Sequence, residues 1–259
     1  MFDAGFWTRT HNLDRLTRAE LTRVFFSYPT IWTYIALVIA SALFLAWRAA
    51  SPSVALIAAG ITIVAYPFVE YLLHRFVLHG RFMYKSRATA SVWKRIHFDH
   101  HQDPQDLRIL FGALYTTLPT IIVVTFIIGG IVGGLEGSIA SFATGCFVIC
   151  VYEFCHCLQH LNHTPKSNFL RHIKRQHLAH HFYSEQGNFG ITSSICDHLF
   201  GTYYDRSRNV PRSPTVFNLG YTAEEAARYP WVEQLSNGVR RDGSPRAVRQ
   251  AADFFADGA

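Results

Sequence analysis

VALIAAGITIVAYPFV, residues 54–69, carries no charge and runs directly into EYLLHRFVLH, residues 70–79. An apolar helix of near-membrane length therefore ends in Glu70, His74 and His79. The design recurs in a second uncharged run, Ser138 to Tyr152, which leads into EFCHCLQH, residues 153–160. Lipid-soluble helices that end in histidine describe an apolar bundle with a polar cap.

Two more apolar runs complete the bundle, Ile31 to Trp47 and Phe111 to about Val132. A membrane span needs about 20 apolar residues, with a range of about 17 to 25. The Ile31 run is at the lower limit, and the Val54 and Ser138 runs reach it only with their polar ends. The connections Arg48 to Ser53 and Gly133 to Gly137 are short enough for tight hairpins. The expected fold is all-α: a polytopic membrane bundle of about four transmembrane or deeply inserted helices in two hairpins. Composition agrees, because only 16% of the chain is charged, against about 25% in a soluble domain.

Charge orders the spans. Of 24 Lys and Arg, four precede the first run, seven lie between the second and third, and twelve follow the fourth. Only Arg48 sits in a hairpin turn. The positive-inside rule then puts both termini and the central loop in the cytoplasm. Thirteen of 14 histidines fall between Glu70 and His101 or between His156 and His198, on that same side. The cap is thus expected to be cytoplasmic and histidine-rich.

Residues 1–30 form an amphipathic N-terminal segment. Within it, Leu13 to Phe26 alternates apolar residues with Arg15, Arg18 and Arg23, as a helix on a membrane surface does. Its first 28 residues are mixed and charged, so no cleavable signal peptide is expected. Residues 31–205 make the membrane-embedded catalytic unit. Residues 206–259 are a polar tail, with one short helix expected over Thr222 to Leu235 and mobility over the last twenty residues. Net charge of +6 is spread along the chain, so a membrane surface suits it and a nucleic acid does not. Five cysteines without a CxxC pair read as reduced core thiols.

Four histidine clusters carry the chemistry: His74 and His79; His97, His100 and His101; His156 and His160; His177, His180 and His181. Each helical residue advances about 100°. The i, i+4 pair and the two i, i+3, i+4 triplets therefore each share a face. His74 and His79, at i, i+5, share one only if the helix distorts between them or if they serve different metals. Ten imidazoles exceed the four ligands of a tetrahedral zinc and imply two metals with about five each. His11, His163, His172 and His198 lie outside the clusters and are expected to support the site or face the surface. Glu153 and His156 form an ExxH, but carboxylate di-iron bundles need two such motifs and two further glutamates. Glu70 and Glu153 are instead expected to orient ligand histidines.

At HRFVLH, HFDHH, HCLQH and HLAHH, with the trailing NFGIT and CDHLFGT, the chain resembles the fatty acid hydroxylase/sterol desaturase superfamily of membrane di-iron enzymes. The resemblance covers about Glu70 to Thr202, fills all ten histidine positions and is nearest to the catalytic domain of fatty acid 2-hydroxylases. It implies two iron ions, which zinc can replace in purified protein, O₂ as co-substrate, and hydroxylation of a fatty acyl chain or related lipid. A desaturase or a sterol- or carotenoid-modifying oxygenase shares these motifs. A zinc-dependent membrane hydrolase, with Asp99, Glu153 or Glu185 as base, and a metal transporter are the readings from other classes. No flavin, haem or iron–sulfur motif is visible, so an external donor, cytochrome b5-like or ferredoxin-like, is expected to bring electrons. Lys94, Arg95, Lys174 and Arg175 are its expected docking residues, or contacts to phospholipid.

Overall fold

The computed structural model describes residues 12–205, 210–236, 247–249 and 251–252. His11 and most of the last twenty residues fall outside them. Helix α1 is Arg18–Phe25, α2 Pro29–Trp47, α3 Pro52–Leu72, α4 Arg87–Trp93, α5 Leu114–His160 and α6 Asn168–Phe182. Pro29 and Pro52 open α2 and α3 at the first helical position, where proline's fixed φ suits the helix and its missing N–H costs nothing.

Among the described residues, three helical stretches are long and apolar enough to cross a membrane: Pro29–Trp47, Pro52–Lys85 and Leu107–His160. The third is two spans. Gly133 and Gly134 leave helical geometry, with Gly134 at φ +57°, a left-handed conformation that glycine adopts without steric cost. The chain reverses there, and arms 114–132 and 135–160 run antiparallel. Gly129 packs backbone to backbone on Gly137, and Ser138 Oγ donates to the Phe126 carbonyl at 3.2 Å. The expected two hairpins are therefore present, with the fourth helix starting at Leu135 and reaching His160. Leu43, Val64 and Ile131 are 66, 70 and 84% exposed, side chains that only lipid covers.

The two hairpin turns meet at one end of the bundle, where the Ser51 N–H donates to Glu136 Oε2 at 3.3 Å. The histidines gather at the other end. Helix α1 is shorter than the pattern suggested, and its apolar face does not meet lipid. Thr17 and Glu20 form a reciprocal cap at its start. Leu13, Leu21, Val24 and Phe25 are buried against Leu107, Phe111, Cys157 and Leu161, each contributing about 1.5–3 kcal/mol. Protein occupies the face expected to lie on a membrane surface.

Past Tyr203 the chain returns to the cap. Two short helices, Ala223–Arg228 and Trp231–Gln234, replace the single one expected, because Pro230 divides them. Leu219, Tyr221, Ala226 and Val232 pack with Tyr84, Trp93 and Phe98. Ala247 and Ala251 are buried beside Phe182 and Phe217. All five cysteines are free.

Candidate metal centre

Helix α3 passes into a wider turn over Leu73–Leu78. The His79 N–H reaches back five residues to the His74 carbonyl, at 3.0 Å. Such i→i+5 bonding is the π-helical geometry that recurs at functional sites. It brings His79 beside His74, which a regular helix would not do, and their Nε2 atoms lie 3.2 Å apart. A second π turn, Lys94–Phe98, precedes His100 and His101. The end of α5 supplies His156 and His160, and α6 supplies His177, His180 and His181.

Nine of the ten histidines converge in two groups. His100, His156, His160, His177 and His181 form one; His74, His79, His97 and His180 form the other. Within each group the candidate ligand atoms lie within 4.8 Å of one another. Each HxxHH triplet divides between the groups, His97 from His100 and His180 from His177 and His181, so one triplet borders both groups. His101 belongs to neither by nitrogen distance. Its ring lies between them, 4.7 Å from His97 and 4.2 Å from His181, and its buried Nε2 has no hydrogen-bond partner.

These nitrogens cannot satisfy one another. His79 Nε2 faces Nε2 of His97, His180 and His74 at 2.8, 3.0 and 3.2 Å. The Nδ1 atoms of His74 and His180 face the carbonyls of Phe189 and Gly187 at 2.5 and 2.7 Å. A carbonyl only accepts, so both Nδ1 carry hydrogen and both Nε2 present lone pairs. One His79 ring proton cannot serve both of these acceptors, whereas a cation serves all four nitrogens. Two nitrogens about 2.1 Å from one cation and about 90° apart are roughly 3.0 Å from each other. In the five-membered group, His160 and His177 are 2.8 Å apart and His100 and His156 3.1 Å apart at Nε2. The residues fit a metal.

Metal binding needs neutral imidazole, and burial supplies it. In the cap, burial and then neighbouring imidazoles push His97, His100, His177 and His181 well below the ordinary histidine value. Burial brings His101 and His180 down to about 3.

A brace holds the carbonyls that orient the rings. Asp197 accepts from the N–H groups of Phe189 and Gly190 at 2.8 and 2.7 Å. A Cβ on Gly190 would collide with the Ser193 carbonyl, so only glycine permits this approach. Asn188, at φ +54°, ties Gln176 of α6 to the backbone of Tyr204. Glu70 accepts from Ile191 N–H at 2.5 Å and from Thr192 N–H and hydroxyl at 3.0 and 2.5 Å. It therefore secures the loop behind His74 rather than bonding a histidine. Glu153 accepts from the Gly112 N–H at 2.9 Å and likewise bonds no ligand ring. Val216, in the tail, offers the carbonyl 2.9 Å from His101 Nδ1, and no sequence signal marks it.

The other described histidines stay outside. His172 faces Ser194 Oγ at 3.3 Å, His198 stacks on Tyr203 at 3.9 Å, and His163 lies beyond both groups. Three of the four expected docking bases are occupied internally. Lys94 pairs with Asp99 at 2.7 Å, and Arg95 donates to the Arg108 and Ile109 carbonyls. Lys174 donates to Leu161 and His163, with burial bringing it down to about 8. Arg175 is exposed.

A cavity of about 330 Å³ opens from the histidines into the bundle between α3 and both arms of α5. His74, His97, His100, His156, His177 and His181 line its head. Toward the body the lining is Ala65, Val69, Ile121, Val124 and Ile149. The threonines there do not make it polar, because Thr62, Thr120 and Thr125 donate to carbonyls of their own helices.

The sequence matches the fatty acid hydroxylase family over residues 59–202. It is 29% identical over 208 residues to dihydroceramide fatty acyl 2-hydroxylase FAH2 of Arabidopsis thaliana, covering 78% of each chain. It is 32% identical over 143 residues to ceramide very long chain fatty acid hydroxylase SCS7 of Saccharomyces cerevisiae, covering 54% of this chain but 36% of that one. A solved structure of full-length Scs7p, with only its hydroxylase domain visible, superposes with a TM-score of 0.58 at 27% identity, over 71% of this chain and 68% of that one. The matched region begins in α3 and ends at the Asp197 brace, so it contains every clustered histidine, and the chain belongs to the fatty acid hydroxylase family.

Proposed function

We propose that the protein hydroxylates a fatty acyl chain, free or carried on a larger lipid, using O₂ and two iron ions held by the two histidine groups, with His101 between them. One observation carries this reading: both nitrogen groups form the head of an apolar cavity that lies within the membrane-spanning part of the fold. The names of the Arabidopsis and yeast relatives point to the same substrate class.

An unactivated C–H bond offers no acid–base handle, and a bound iron pair would supply the reduction of O₂ that attack on it requires. The balance is one C–H bond plus O₂, two electrons and two protons giving one C–OH and one water. An external donor, cytochrome b5-like or ferredoxin-like, provides the electrons. By the charge distribution, the metal site and both termini face the cytoplasm, where such donors are found.

The chain's own groups orient the substrate. Polar atoms concentrate at the histidine end, where Glu153 Oε2 is buried without a partner and Tyr66 packs edge-on against Tyr152 at 6.1 Å. Glu153 Oε2 accepts from a hydroxyl, amide N–H or protonated carboxyl of the lipid head there, while the alkyl chain lies along Val69, Val124 and Ile149. This orientation favours oxidation near the head over oxidation far along the chain. Asp99 is held by Lys94 at both carboxylate oxygens, 2.7 and 2.8 Å, which disfavours it as the base of a zinc hydrolase.

Labelling with ¹⁸O₂ tests the reading. The expected result is one ¹⁸O in a lipid hydroxyl. Loss of two hydrogens without label would identify a desaturase. Label arriving only from water, with turnover persisting anaerobically, would sink the oxygenase reading.

A further inference from the structure

The cavity has a blind end, and its closure rests on small residues. Its lining stops at Thr62, Thr125, Ile128 and Gly145. Immediately beyond, Ser141 Oγ of α5 donates to the Ala58 carbonyl of α3 at 3.4 Å, with both residues fully buried. On the other side Gly129 packs on Gly137 backbone to backbone, and Gly133 meets Val54. The two arms and α3 therefore draw together below the cavity and leave no passage among these contacts. Gly145 sets the width just above the closure: a Cβ there would stand 2.7 Å from Thr125 Cγ2 and 3.1 Å from Ile121 Cγ2.

The depth of the cavity gives its capacity. From His156 at the head to Gly145 at the end is eleven residues of one helix, roughly 16 Å at 1.5 Å per residue. With C–C bonds of about 1.5 Å, an all-trans chain advances roughly 1.25 Å per carbon, so this depth holds about 13 carbons.

We propose that this end is a ruler, and that the site takes acyl chains of about 12 to 14 carbons, head at the histidines, in preference to chains of 20 or more. The inference rests on the lipid hydroxylase reading for its ligand class. Thr62, Thr125, Ile128 and Gly145 bound the cavity's far end, and none of them belongs to the metal-binding groups.

The test uses the full chain in nanodiscs and saturated fatty acids of 8 to 22 carbons. Binding is read by displacement of a fluorescent 12-carbon acid, and turnover is read separately by mass spectrometry. Affinity is expected to rise to 12–14 carbons and fall at least tenfold by 20. Ile128→Ala should move the optimum about two carbons longer, and Gly145→Val should shorten it by a similar amount. Should Gly145→Val not fold, Ile128→Ala decides alone. Affinity that climbs steadily to 22 carbons, or an optimum that Ile128→Ala leaves in place, overturns the ruler. A binding optimum without turnover at any length would keep the ruler and remove the hydroxylase reading. Turnover that is flat across chain lengths would do the reverse.

Discussion

His74 Nδ1 lies 2.5 Å from the carbonyl oxygen of Phe189, 115 residues along the chain. That contact fixes which ring nitrogen of His74 is free, and Asp197 fixes the contact by accepting from the N–H groups of Phe189 and Gly190. Partners of this outer kind typically change metal affinity by 10- to 100-fold when lost. Asp197→Ala is expected to reduce bound metal by about that factor and to leave membrane insertion intact, because apolar helices drive insertion. Asp197→Asn keeps one accepting oxygen and should fall between the two. Metal titration of the purified variants checks both; unchanged metal affinity in Asp197→Ala would show that the brace does not orient His74.

What the sequence made legible divides along physical lines. Apolar runs and their flanking charges identified the hairpins, because lipid imposes length and polarity on every span. Histidine spacing identified all nine converging residues, because helical geometry is local. It placed each HxxHH triplet on one face, yet could not tell that one face borders two centres, since that depends on how α3, α5 and α6 meet. His74 and His79 needed a distortion that their i, i+5 spacing demanded, and the π turn provides it. Lys94, Arg95 and Lys174 misled because a charge count is blind to partners. Val216 was invisible, since a backbone carbonyl leaves no residue-type signal.

The division of nitrogens predicts stoichiometry. With metal at about two per chain, His79→Ala and His160→Ala should each fall toward one, because each removes a member of a different group. His101→Ala should retain more metal than either and still lose turnover, since its ring stands between the groups. His172→Ala should keep both metals and most activity. Elemental analysis after gentle, iron-replete purification reads all four. Loss of metal in His101→Ala equal to that in His79→Ala would make His101 a ligand of comparable weight.

Acid should destabilise the metal-free cap steeply. In the folded chain His101 and His180 stay neutral down to about pH 3, whereas in the unfolded chain they protonate below about pH 6.5. The unfolded state thus binds more protons, so stability falls as pH drops from about 6.5 toward 3. Each such ring contributes about 1.4 kcal/mol per pH unit within that window. His97, His100, His177 and His181 are displaced in the same direction and steepen the loss. Thermal unfolding of the metal-free protein in nanodiscs at pH 7, 6 and 5 should show a progressive drop. A melting temperature flat over that range would mean that water reaches the rings and keeps their proton affinity ordinary.

The joined hairpin turns predict topology. Ser51 and Glu136 meet through a hydrogen bond at one end of the bundle, while the π turns and every clustered histidine occupy the other. Helices of 19 residues in α2 and 21 in α3 are roughly 29 and 32 Å long at 1.5 Å per residue, enough for a hydrocarbon core of about 30 Å. Cysteines introduced at Ser51 and Glu136 should therefore react with an impermeant reagent from one face, and cysteines at Lys85 and Asp205 from the opposite face. Because basic residues flank Lys85 and Asp205 but nearly vanish at the turns, the second pair should be the cytoplasmic one. Labelling of Glu136 and Lys85 from the same face would mean that the glycine-hinged hairpin enters and leaves the membrane on the histidine side without crossing it. The acyl cavity would then open against one leaflet only.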